Sequence, residues 1–509
     1  MKKILPLIPI FLLLVLWSSC RKDFEYDTNT GNLTFSKDTV YLDTIFSTIG
    51  SSTYSLTVYN KSNTDINIPS ITLENGINSS YRLNVDGIAG TTFNNIPLLA
   101  KDSLFIFIET TFNISNVNKN EFLYIDALLF EATGKNQRVP LVTLVKDAIF
   151  LYPSKLANGS NEKVILEVNE DGEEISVDGF LLNNEQLNFT DEKPYVIYGY
   201  ASVPKDKIVT IAAGTRIHFH ENSGIFVKEG ATININGELS TNKDTLENEV
   251  IFEGDRLEPE FANVSGQWGT LWLAKGSINN TINYLTIKNA TVGIYVTGNK
   301  TLTSPTLLIK NTQIHNSQEI NLWAKTAIIN GENLVLGAAK KASLYCNLGG
   351  SYSFTHTTIA NYWNSSFREN SALQIDNFKT LKNETLLTKD LIQANFTNCI
   401  IYGNNISELF LNSNTTKTFN FNFSNCLLKN IENNNSTPYN YSDINFYENI
   451  LLNKDPDFIA IEKNNFKIGD KSAAINKGNI EAAILVPTDI LGTSRIENPS
   501  IGAYQLSIE

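Results

Sequence analysis

Hydrophobic and polar residues alternate in short bursts along this chain, and Asn, Gly, Asp or Ser stands where each burst ends. In residues 266–296 (GQWGTLWLAKGSINNTINYLTIKNATVGIYV), Leu271 and Leu273 are two positions apart, as are Leu285 and Ile287. The sustained spacing of three and four that marks a helix is missing from these bursts. A period of two predicts strands, so we expect an all-β protein.

The first group of bursts lies between residues 33 and 146. They include 54–59 (YSLTVY), 103–108 (SLFIFI) and 127–130 (ALLF), each bounded by turn-forming residues. Many short strands at this spacing predict a β-sandwich. Residues 57–68 (TVYNKSNTDINI) and 98–112 (LLAKDSLFIFIETTF) resemble the Ig-like modules of bacterial surface proteins, without the Cys…Trp…Cys signature of the antibody subtype.

From about residue 203 to 450 the bursts become a repeat. An Asn or His opens the recurring phrase and an Asn or Gly closes it, as in 283–289 (NYLTIKN), 311–316 (NTQIHN), 333–337 (NLVLG), 356–361 (HTTIAN), 398–404 (NCIIYGN) and 425–430 (NCLLKN). The closing residues Asn289, Asn316, Gly337 and Asn361 are separated by 27, 21 and 24 positions. Units of this size stack on one another as a solenoid.

The spacing of the repeat distinguishes between two kinds of solenoid. A leucine-rich repeat does not fit, because its ninth residue counted from Ile282 is Ala290, and the Asn falls one position too early. A parallel β-helix fits better, with aliphatic residues stacked inward and Asn in left-handed turns bonding to Asn above and below. Asn404 follows Asn361 by 43 positions, so residues 361–395 predict an insertion that projects from one coil.

Both ends of the repeat carry phrases of a known class of proteins. Residues 208–240 (IVTIAAGTRIHFHENSGIFVKEGATININGELS) resemble the opening coils of extracellular bacterial β-helix proteins with a pectin-lyase-like fold, and 455–478 (DPDFIAIEKNNFKIGDKSAAINKG) are similar to their C-terminal tail. The resemblance implies a right-handed parallel β-helix over 203–450 with a tail or cap over 451–509. We interpret residues 147–202 as its connector and N-terminal cap.

Residues 1–19 have the composition of a secretory signal peptide: a basic start, an apolar run, and small residues directly before Cys20. These small residues resemble a bacterial lipoprotein processing site, which implies a lipid attached to Cys20. Residues 21–25 (RKDFE) are similar to the Lys-acidic tag of Bacteroidetes-type surface lipoproteins. We therefore expect an outer-membrane lipoprotein, exposed at the cell surface, whose residues 20–32 form a lipidated tether to the membrane.

The net charge bears on nucleic-acid binding, and the cysteines bear on zinc sites and disulfides. The formal net charge of −13 argues against nucleic acid, whose phosphates require a basic face. Besides Cys20 the chain has Cys346, Cys399 and Cys426, an odd set without CxxC spacing, which argues against a zinc site or a disulfide framework. Cys399 and Cys426 follow matching Asn residues, so they form either an inward row of thiols, which we favour, or a disulfide.

Candidate catalytic chemistry is sparse. His218 and His220 share a strand face and, with Glu221, have the donor types of a metal site, but we favour the interpretation that they form the outward polar face of an early coil. The charged stretch 253–260 (EGDRLEPE) is interpreted as a solvated loop. No P-loop, nucleophile elbow or HExxH motif is present, so we predict no catalytic residue and no cofactor. Structural calcium has no support, since the tail has uncharged residues where acidic ones are usual: Asn476, Ser500 and Gln505.

Tryptophans give a hint of ligand binding, because exposed rings can stack on sugar faces. The candidates are Trp268, Trp272, Trp323 and Trp363. On an unbroken strand, Trp268 and Trp272 would share one face, and Leu271 and Leu273 would share the other. Only one face can point into the core, so we expect one of the two pairs to lie outside. Core packing is the alternative role for these rings.

Two classes of function fit these patterns. The preferred one is a non-catalytic β-helix that presents a binding or structural surface to glycans or other envelope components. The alternative is a polysaccharide lyase or glycoside hydrolase, which the fold resemblance alone implies. A groove with three carboxylates and an Arg or Lys, or with two carboxylates at hydrolase spacing, would favour the enzyme.

Overall fold

The computed structural model describes residues 26–116, 120–168, 173–298, 304–431 and 438–506. The predicted signal peptide and Cys20 lie outside these residues. Strands dominate both of the compact units into which the chain divides, Met1–Asp147 and Ala148–Glu509, and the all-β prediction is confirmed. The described helical elements are the α-helix Ile480–Leu485 and the 3₁₀ helices Gly76–Asn78, Ile114–Asn116, Asn184–Leu187, Pro259–Phe261 and Ile461–Lys463. Within the described ranges, no helix has the length and apolar character needed to cross a membrane.

The first unit consists of two β-sheets with a shared hydrophobic core. One sheet has the strand order Asp27–Thr28, Ile66–Leu73, Glu121–Phe130, Gln137–Lys146, Val40–Phe46, and Thr92–Leu98 also pairs with Ile66–Leu73. The other has the order Thr34–Phe35, Tyr54–Tyr59, Ser103–Thr110, Tyr81–Val85, Ile88–Gly90. Alternate residues of both sheets fill the core between them, among them Val40, Leu56, Ile106 and Leu128. This packing follows from the period-two pattern, which gives each strand one apolar face.

The second unit is a solenoid of three long parallel sheets. The first sheet contains Ile149–Leu151, Tyr195–Ile197, Arg216–Phe219, Val250–Gly254, Leu285–Lys288, Gln313–Ser317, Val335–Ala339, Thr358–Asn361, Ile400–Gly403, Leu427–Leu428 and Leu451–Leu452. The second contains Lys163–Val168, Glu174–Leu181, Tyr200–Val203, Gly224–Val227, Leu271–Leu273, Val292–Thr297, Ile320–Lys325, Ala342–Asn347, Leu373–Asp376 and Leu409–Asn412. The third contains Asn188–Phe189, Ile208–Ala212, Thr232–Asn236, Asn280–Asn283, Leu307–Lys310, Ile328–Glu332, Gly350–Thr355, Leu391–Thr397, Asn422–Ser424 and Tyr447–Glu448. Two small antiparallel pairs accompany them, Phe378–Thr380 with Leu386–Thr388 and Phe458–Ala460 with Asn465–Ile468.

Each coil visits the first, second and third sheets in that order, and a short turn leads back to the first sheet. One residue of this turn has positive φ in successive coils: Tyr284, Asn311, Asn333, His356, Asn398, Asn425 and Asn449. Asn suits the position because it tolerates the left-handed conformation better than most residues. The amide of Asn311 donates to Oδ1 of Asn283, and that of Asn333 donates to Oδ1 of Asn311, both at 2.9 Å. The predicted Asn ladder is confirmed.

Inward side chains of the three sheets form the solenoid core. Towards its C-terminal end the core of the third sheet becomes aromatic, and the rings of Phe354, Phe396 and Phe423 stack with centroids 5.3 and 4.9 Å apart. Cys399 and Cys426 are buried free thiols beside this stack. Of the two arrangements that their spacing left open, the structure has the inward thiol row.

The C-terminal tail covers the outer face of the first sheet. The ring of Phe466 lies against Gly337, where a Cβ atom would approach it to 2.3 Å, so only glycine fits beneath the ring. Arg495 is fully buried and donates to Oδ1 of Asn333 at 3.0 Å, to Nδ1 of His356, and to two tail carbonyls. Two ladder positions, Asn333 and His356, therefore fasten the tail to the solenoid.

Parallel pairing begins earlier in the chain than the repeat that is visible in the sequence. Ile149–Leu151 pairs with Tyr195–Ile197, and Glu174–Leu181 pairs with Tyr200–Val203. Residues 147–202, predicted as a connector and cap, therefore contribute strands to the solenoid itself. Their strands are too far apart in sequence for the Asn phrase to recur, which is why the pattern did not reveal them.

The predicted insertion at residues 361–395 is wrong in its extent. Leu373–Asp376 is a regular strand of the second sheet, and Leu391–Thr397 belongs to the third. The projecting parts are the loop before Leu373 and the small hairpin after Asp376. The strand was missed because its apolar residues alternate without the Asn that opens the other phrases.

Candidate functional site

A column of aromatic side chains runs along the outer face of the second sheet. The strand register places Phe226, Trp272, Tyr295, Trp323 and Tyr345 side by side on five successive coils. The ring centroids of successive neighbours are 5.7, 4.9, 4.7 and 6.1 Å apart. These separations fall in the range of favourable aromatic pairs. We call these five residues the aromatic column.

The column results from strand alternation repeated in register. In each coil the aromatic residue stands between two buried residues that point into the core, as Trp272 does between Leu271 and Leu273. Parallel neighbours lie about 4.8 Å apart, so outward rings at matching positions must stack. Phe226 is buried, whereas the other four rings are partly exposed.

A groove of about 900 Å³ opens beside the N-terminal end of the aromatic column. Phe226 and Trp272 contribute to its lining, and Ile165, Leu166 and Glu167 form a wall from an overlying strand. The remaining lining residues come mainly from the turns that leave the second sheet: Lys205, Lys228, Glu229, Ala274, Lys275, Thr297, Gly298, Lys325 and Thr326, with Lys389 from the small hairpin. We call this cavity the lysine groove.

The overlying wall belongs to the antiparallel hairpin of Lys163–Val168 and Glu174–Leu181. Its residues Val164 and Leu166 are buried in one cluster with Phe226 of the aromatic column. The hairpin thus covers Phe226, the first ring of the column, and Trp272 packs against the same cluster while staying partly exposed. The hairpin also supplies one wall of the groove.

The lining of the groove is strongly positive. It carries five lysines and two glutamates. In the part of the chain that the structure describes, none of the five lysines lies within 4.0 Å of a carboxylate, although other lysines of this unit do, such as Lys310 beside Glu332 and Lys341 beside Glu319. The groove therefore concentrates unpaired positive charge in a chain with a net charge of −13.

Tyr295 supplies a hydroxyl near this positive region. Burial raises the pKa of Tyr295 to about 12, the Thr297 hydroxyl partly offsets the shift, and the charge of Glu167 adds to it. The phenol is consequently protonated throughout the physiological range. It can donate a hydrogen bond but cannot serve as an anionic base at neutral pH.

A second group of ionisable side chains lies on the outer face of the first sheet. His218, Glu253, Lys288 and His315 follow one another on four successive coils. Glu253 lies 3.4 Å from Lys288 Nζ and 3.8 Å from His218 Nδ1. Burial raises the pKa of Glu253, but the charges of His218, Lys288 and Arg216 outweigh it and hold that pKa below its usual value. Glu253 thus pairs with groups on both neighbouring coils, which is a stabilising arrangement rather than a catalytic one.

The structure separates the four candidate tryptophans into two pairs. Trp272 and Trp323 belong to the aromatic column. Trp268 is only 1% exposed, stacks on Phe219 with centroids 4.4 Å apart, and donates from Nε1 to a main-chain carbonyl. Trp363 is also buried, and its Nε1 donates to the hydroxyl of Ser366 at 2.9 Å. The suggested binding role of Trp268 and Trp363 is therefore wrong.

The histidine candidates lie in ordinary polar contacts. His220 Nδ1 is 2.7 Å from the carboxylate of Asp255, and its ring stacks on Tyr198. His356, which opens one of the repeat phrases, occupies a ladder turn with φ of 52°. Among the described residues, no three or more His, Cys, Asp or Glu side chains are grouped so as to hold a metal ion. Glu253, at the start of the predicted solvated loop, instead lies within a strand.

Sequence reasoning missed the lysines of the groove. Lys228, Lys275 and Lys325 are separated by 47 and 50 positions, so no local motif connects them. A weaker signal was present, because Lys228 and Lys325 each follow an aromatic residue, Phe226 or Trp323, by two positions. On a strand that spacing puts both side chains on one face.

Comparisons with known proteins give no family. No family model matches this sequence, and no curated protein matches it. A family 123 glycoside hydrolase from Clostridium perfringens is similar over 23% of this chain and 26% of its own, at 11% identity and a TM-score of 0.16. The catalytic unit of a thermostable GH87 α-1,3-glucanase from Streptomyces thermodiastaticus is similar over 78% and 88%, at 9% identity and a TM-score of 0.19. A GH87 α-1,3-glucanase catalytic domain in complex with tetrasaccharides covers 79% and 89%, at 9% identity and a TM-score of 0.19. At these scores the likenesses carry no argument about this chain.

Proposed function

We propose that this protein is a non-catalytic glycan-binding β-helix whose binding surface is the aromatic column together with the lysine groove. The observation that carries the proposal is the stack of partly exposed rings, Trp272, Tyr295, Trp323 and Tyr345, on one face of successive coils. Sugar rings have apolar faces that stack on aromatic side chains, while polar groups nearby bond to their hydroxyls.

The dimensions of the column suit an extended oligosaccharide. Four intervals of about 4.8 Å give a length of about 19 Å along the solenoid axis. Phe410 continues the same column beyond Gln374, and its ring is exposed. A linear chain of sugars that lies parallel to the axis would meet one partly exposed aromatic ring at nearly every coil.

The proposal includes the setting of the binding surface. We propose a right-handed solenoid of the pectin-lyase-like type, because parallel crossover connections in one sheet are almost always right-handed. The two-sheet first unit would be an Ig-like spacer. The chain would be held at the outer membrane, facing the cell exterior, through lipid on Cys20 and a tether shorter than the predicted 20–32, because Asp27–Thr28 already pairs with Ile66–Leu73 in the first sheet.

Binding measurements with aromatic variants test this function. The Trp272→Ala/Trp323→Ala double variant should lose most of its affinity in a panel of plant, host and microbial polysaccharides measured by affinity electrophoresis. Phe367→Ala is the matched control, because that ring is 82% exposed and lies in the loop before Leu373 rather than at a strand position of the aromatic column. Equal binding by the double variant and the parent, or equal loss in the control, would count against the aromatic column.

Glu167 and Glu229 support a second candidate, a glycoside hydrolase, because both carboxylates line the same groove. The groove has lysines but, among the described residues, only these two carboxylates, so it lacks the third carboxylate of the lyase arrangement and binding is favoured. The same polysaccharide panel distinguishes the two functions when release of reducing and unsaturated ends is followed over time. Turnover that Glu229→Gln abolishes would replace the binding proposal with a hydrolase.

A further inference from the structure

The lysines of the groove recur along the solenoid axis. Lys228 and Lys275 follow second-sheet strands of adjacent coils, and Lys325 ends the strand two coils further on. With about 4.8 Å between coils, these positive charges stand at intervals of about 5 to 10 Å along the axis. A small anion could meet only one or two of them. A linear polymer with an anionic group on successive units could meet all three.

The charge of the groove has no counterpart within the described protein. Its five lysines outnumber its two glutamates, and none of the five is in an ion pair. Like charges that converge in a partly enclosed space repel one another and focus a positive potential there. An anionic ligand relieves this repulsion, whereas a neutral glycan leaves it in place.

Two classes of natural polyanion have this form, glycans and nucleic acids, and the groove favours glycans. Glu167 and Glu229 can accept hydrogen bonds from sugar hydroxyls, but they would repel a phosphodiester backbone. No arginine, which binds phosphate with two parallel hydrogen bonds, is among the described residues that line the groove. The acidic chain as a whole would also repel nucleic acid.

We propose that the lysine groove selects linear polyanionic glycans, which carry carboxylate or sulfate groups at regular intervals, over neutral glycans. This inference rests on the proposed glycan-binding function. The aromatic column supplies stacking to any sugar chain, and the lysines supply the preference for charge. Carboxylate and sulfate present the same chemistry to an ammonium group, so separate probes must distinguish them.

Three polymers with the same β-glucan backbone test the selection: carboxymethyl cellulose, cellulose sulfate and hydroxyethyl cellulose. The full chain should bind at least one anionic polymer about tenfold or more tightly than the neutral one, and the difference should shrink as salt is raised. Equal affinity for all three overturns the selection but leaves glycan binding intact. Failure to bind any of them overturns both. Tighter binding of oligo-deoxythymidine than of the anionic glucans would assign the groove to nucleic acid instead.

Lysine variants test whether the preference for the anionic polymer arises in the lysine groove. Lys228→Gln/Lys275→Gln should weaken binding to the anionic polymer about twofold to thirtyfold, the range expected for two exposed ion pairs, and should reduce the ratio of anionic to neutral affinity. Lys463→Gln/Lys477→Gln removes the same charge from exposed tail positions outside the groove and should leave both affinities unchanged. An equal loss in both double variants would show that net charge, not the groove, attracts the polymer.

Discussion

At the scale of single residues, the two tryptophans of the opening coils should respond differently to truncation. Trp268→Ala should lower the free energy of unfolding by about 3–5 kcal/mol, because it empties a core site stacked on Phe219. Trp272→Ala should lower it by less and should weaken glycan binding instead, since its ring is partly exposed. Urea unfolding followed by circular dichroism measures the first effect. Similar stability losses in both variants would contradict the core and surface assignments.

The different roles of these two rings were only half predictable from the sequence. The period of two places Trp272 opposite Leu271 and Leu273, as found. The extension to Trp268 assumed an unbroken strand, but the strand begins at Leu271 and Trp268 lies before it in an isolated parallel bridge to Ala290. The break between the bridge and the strand lets Trp268 face the core, and alternation alone contains no information about that break.

Two histidines, His356, which is fully buried, and His315, which is half-buried, should make stability sensitive to acid. Burial, assisted by the charge of Arg495, holds the pKa of His356 well below its usual range, and burial with Lys288 lowers the pKa of His315 to about 4. Both rings stay neutral in the folded state, whereas the unfolded chain binds protons near pH 6.5. The contribution of these neutral rings to the free energy of unfolding is thus fully present above about pH 6.5. It falls as the pH drops towards 4, by up to about 1.4 kcal/mol per pH unit for each ring.

Replacing His356 with Asn, the residue most common at the equivalent turns, tests this dependence of stability on pH. Because Asn occupies most of the equivalent turns, His356→Asn should preserve the left-handed conformation and remove one titrating group. Urea unfolding between pH 4 and 7 should show a smaller slope of stability against pH in this variant than in the parent. His315→Gln should reduce the slope further when added. A slope that neither substitution changes would mean that other groups control the acid response.

At the scale of elements, the Asn ladder should contribute measurable stability at every coil. Asn311 has φ of 48° and bonds to the amides of Asn283 and Asn333. Asn311→Ala loses both bonds and keeps a strained turn, so we expect a loss of about 2–4 kcal/mol. Asn311→Gly loses the same bonds but tolerates positive φ, and should be about 1 kcal/mol more stable than the Ala variant. Thermal unfolding compares the two, and the opposite order would refute the turn strain.

The ladder was predictable because its residues recur at a nearly constant interval, and the hairpin over the groove was not. Lys163–Val168 and Glu174–Leu181 are flanked by acidic residues and carry no Asn phrase. These two strands form a wall of the groove because Val164 and Leu166 are buried against Phe226, about sixty positions later in the chain. Contacts over that separation depend on how the coils stack, which no local pattern reveals.

At the scale of the whole molecule, the repeat predicted a parallel solenoid before any contact was known, because stacking is the way such units bury their apolar faces. The lysine groove is a property of the stack rather than of a coil. Lys228, Lys275 and Lys325 come from separate coils and meet only once those coils are in register. The net charge of −13 gave no indication of these lysines, since the total charge of a chain does not show where its surface is locally positive.

The location of the whole molecule depends on the proposed lipid anchor, and substitution of Cys20 tests that anchor. Each buried methylene of an acyl chain contributes about 0.8 kcal/mol, so several chains on Cys20 would hold the protein firmly in a membrane. Cys20→Ala should move it from the membrane pellet to the soluble fraction and abolish labelling with radioactive palmitate. Cys346→Ala, which removes a buried thiol of the solenoid, should leave both unchanged. Membrane retention without label in Cys20→Ala would mean that the protein is held by its surface, and the lipid anchor would then have to be abandoned in favour of binding to an envelope component.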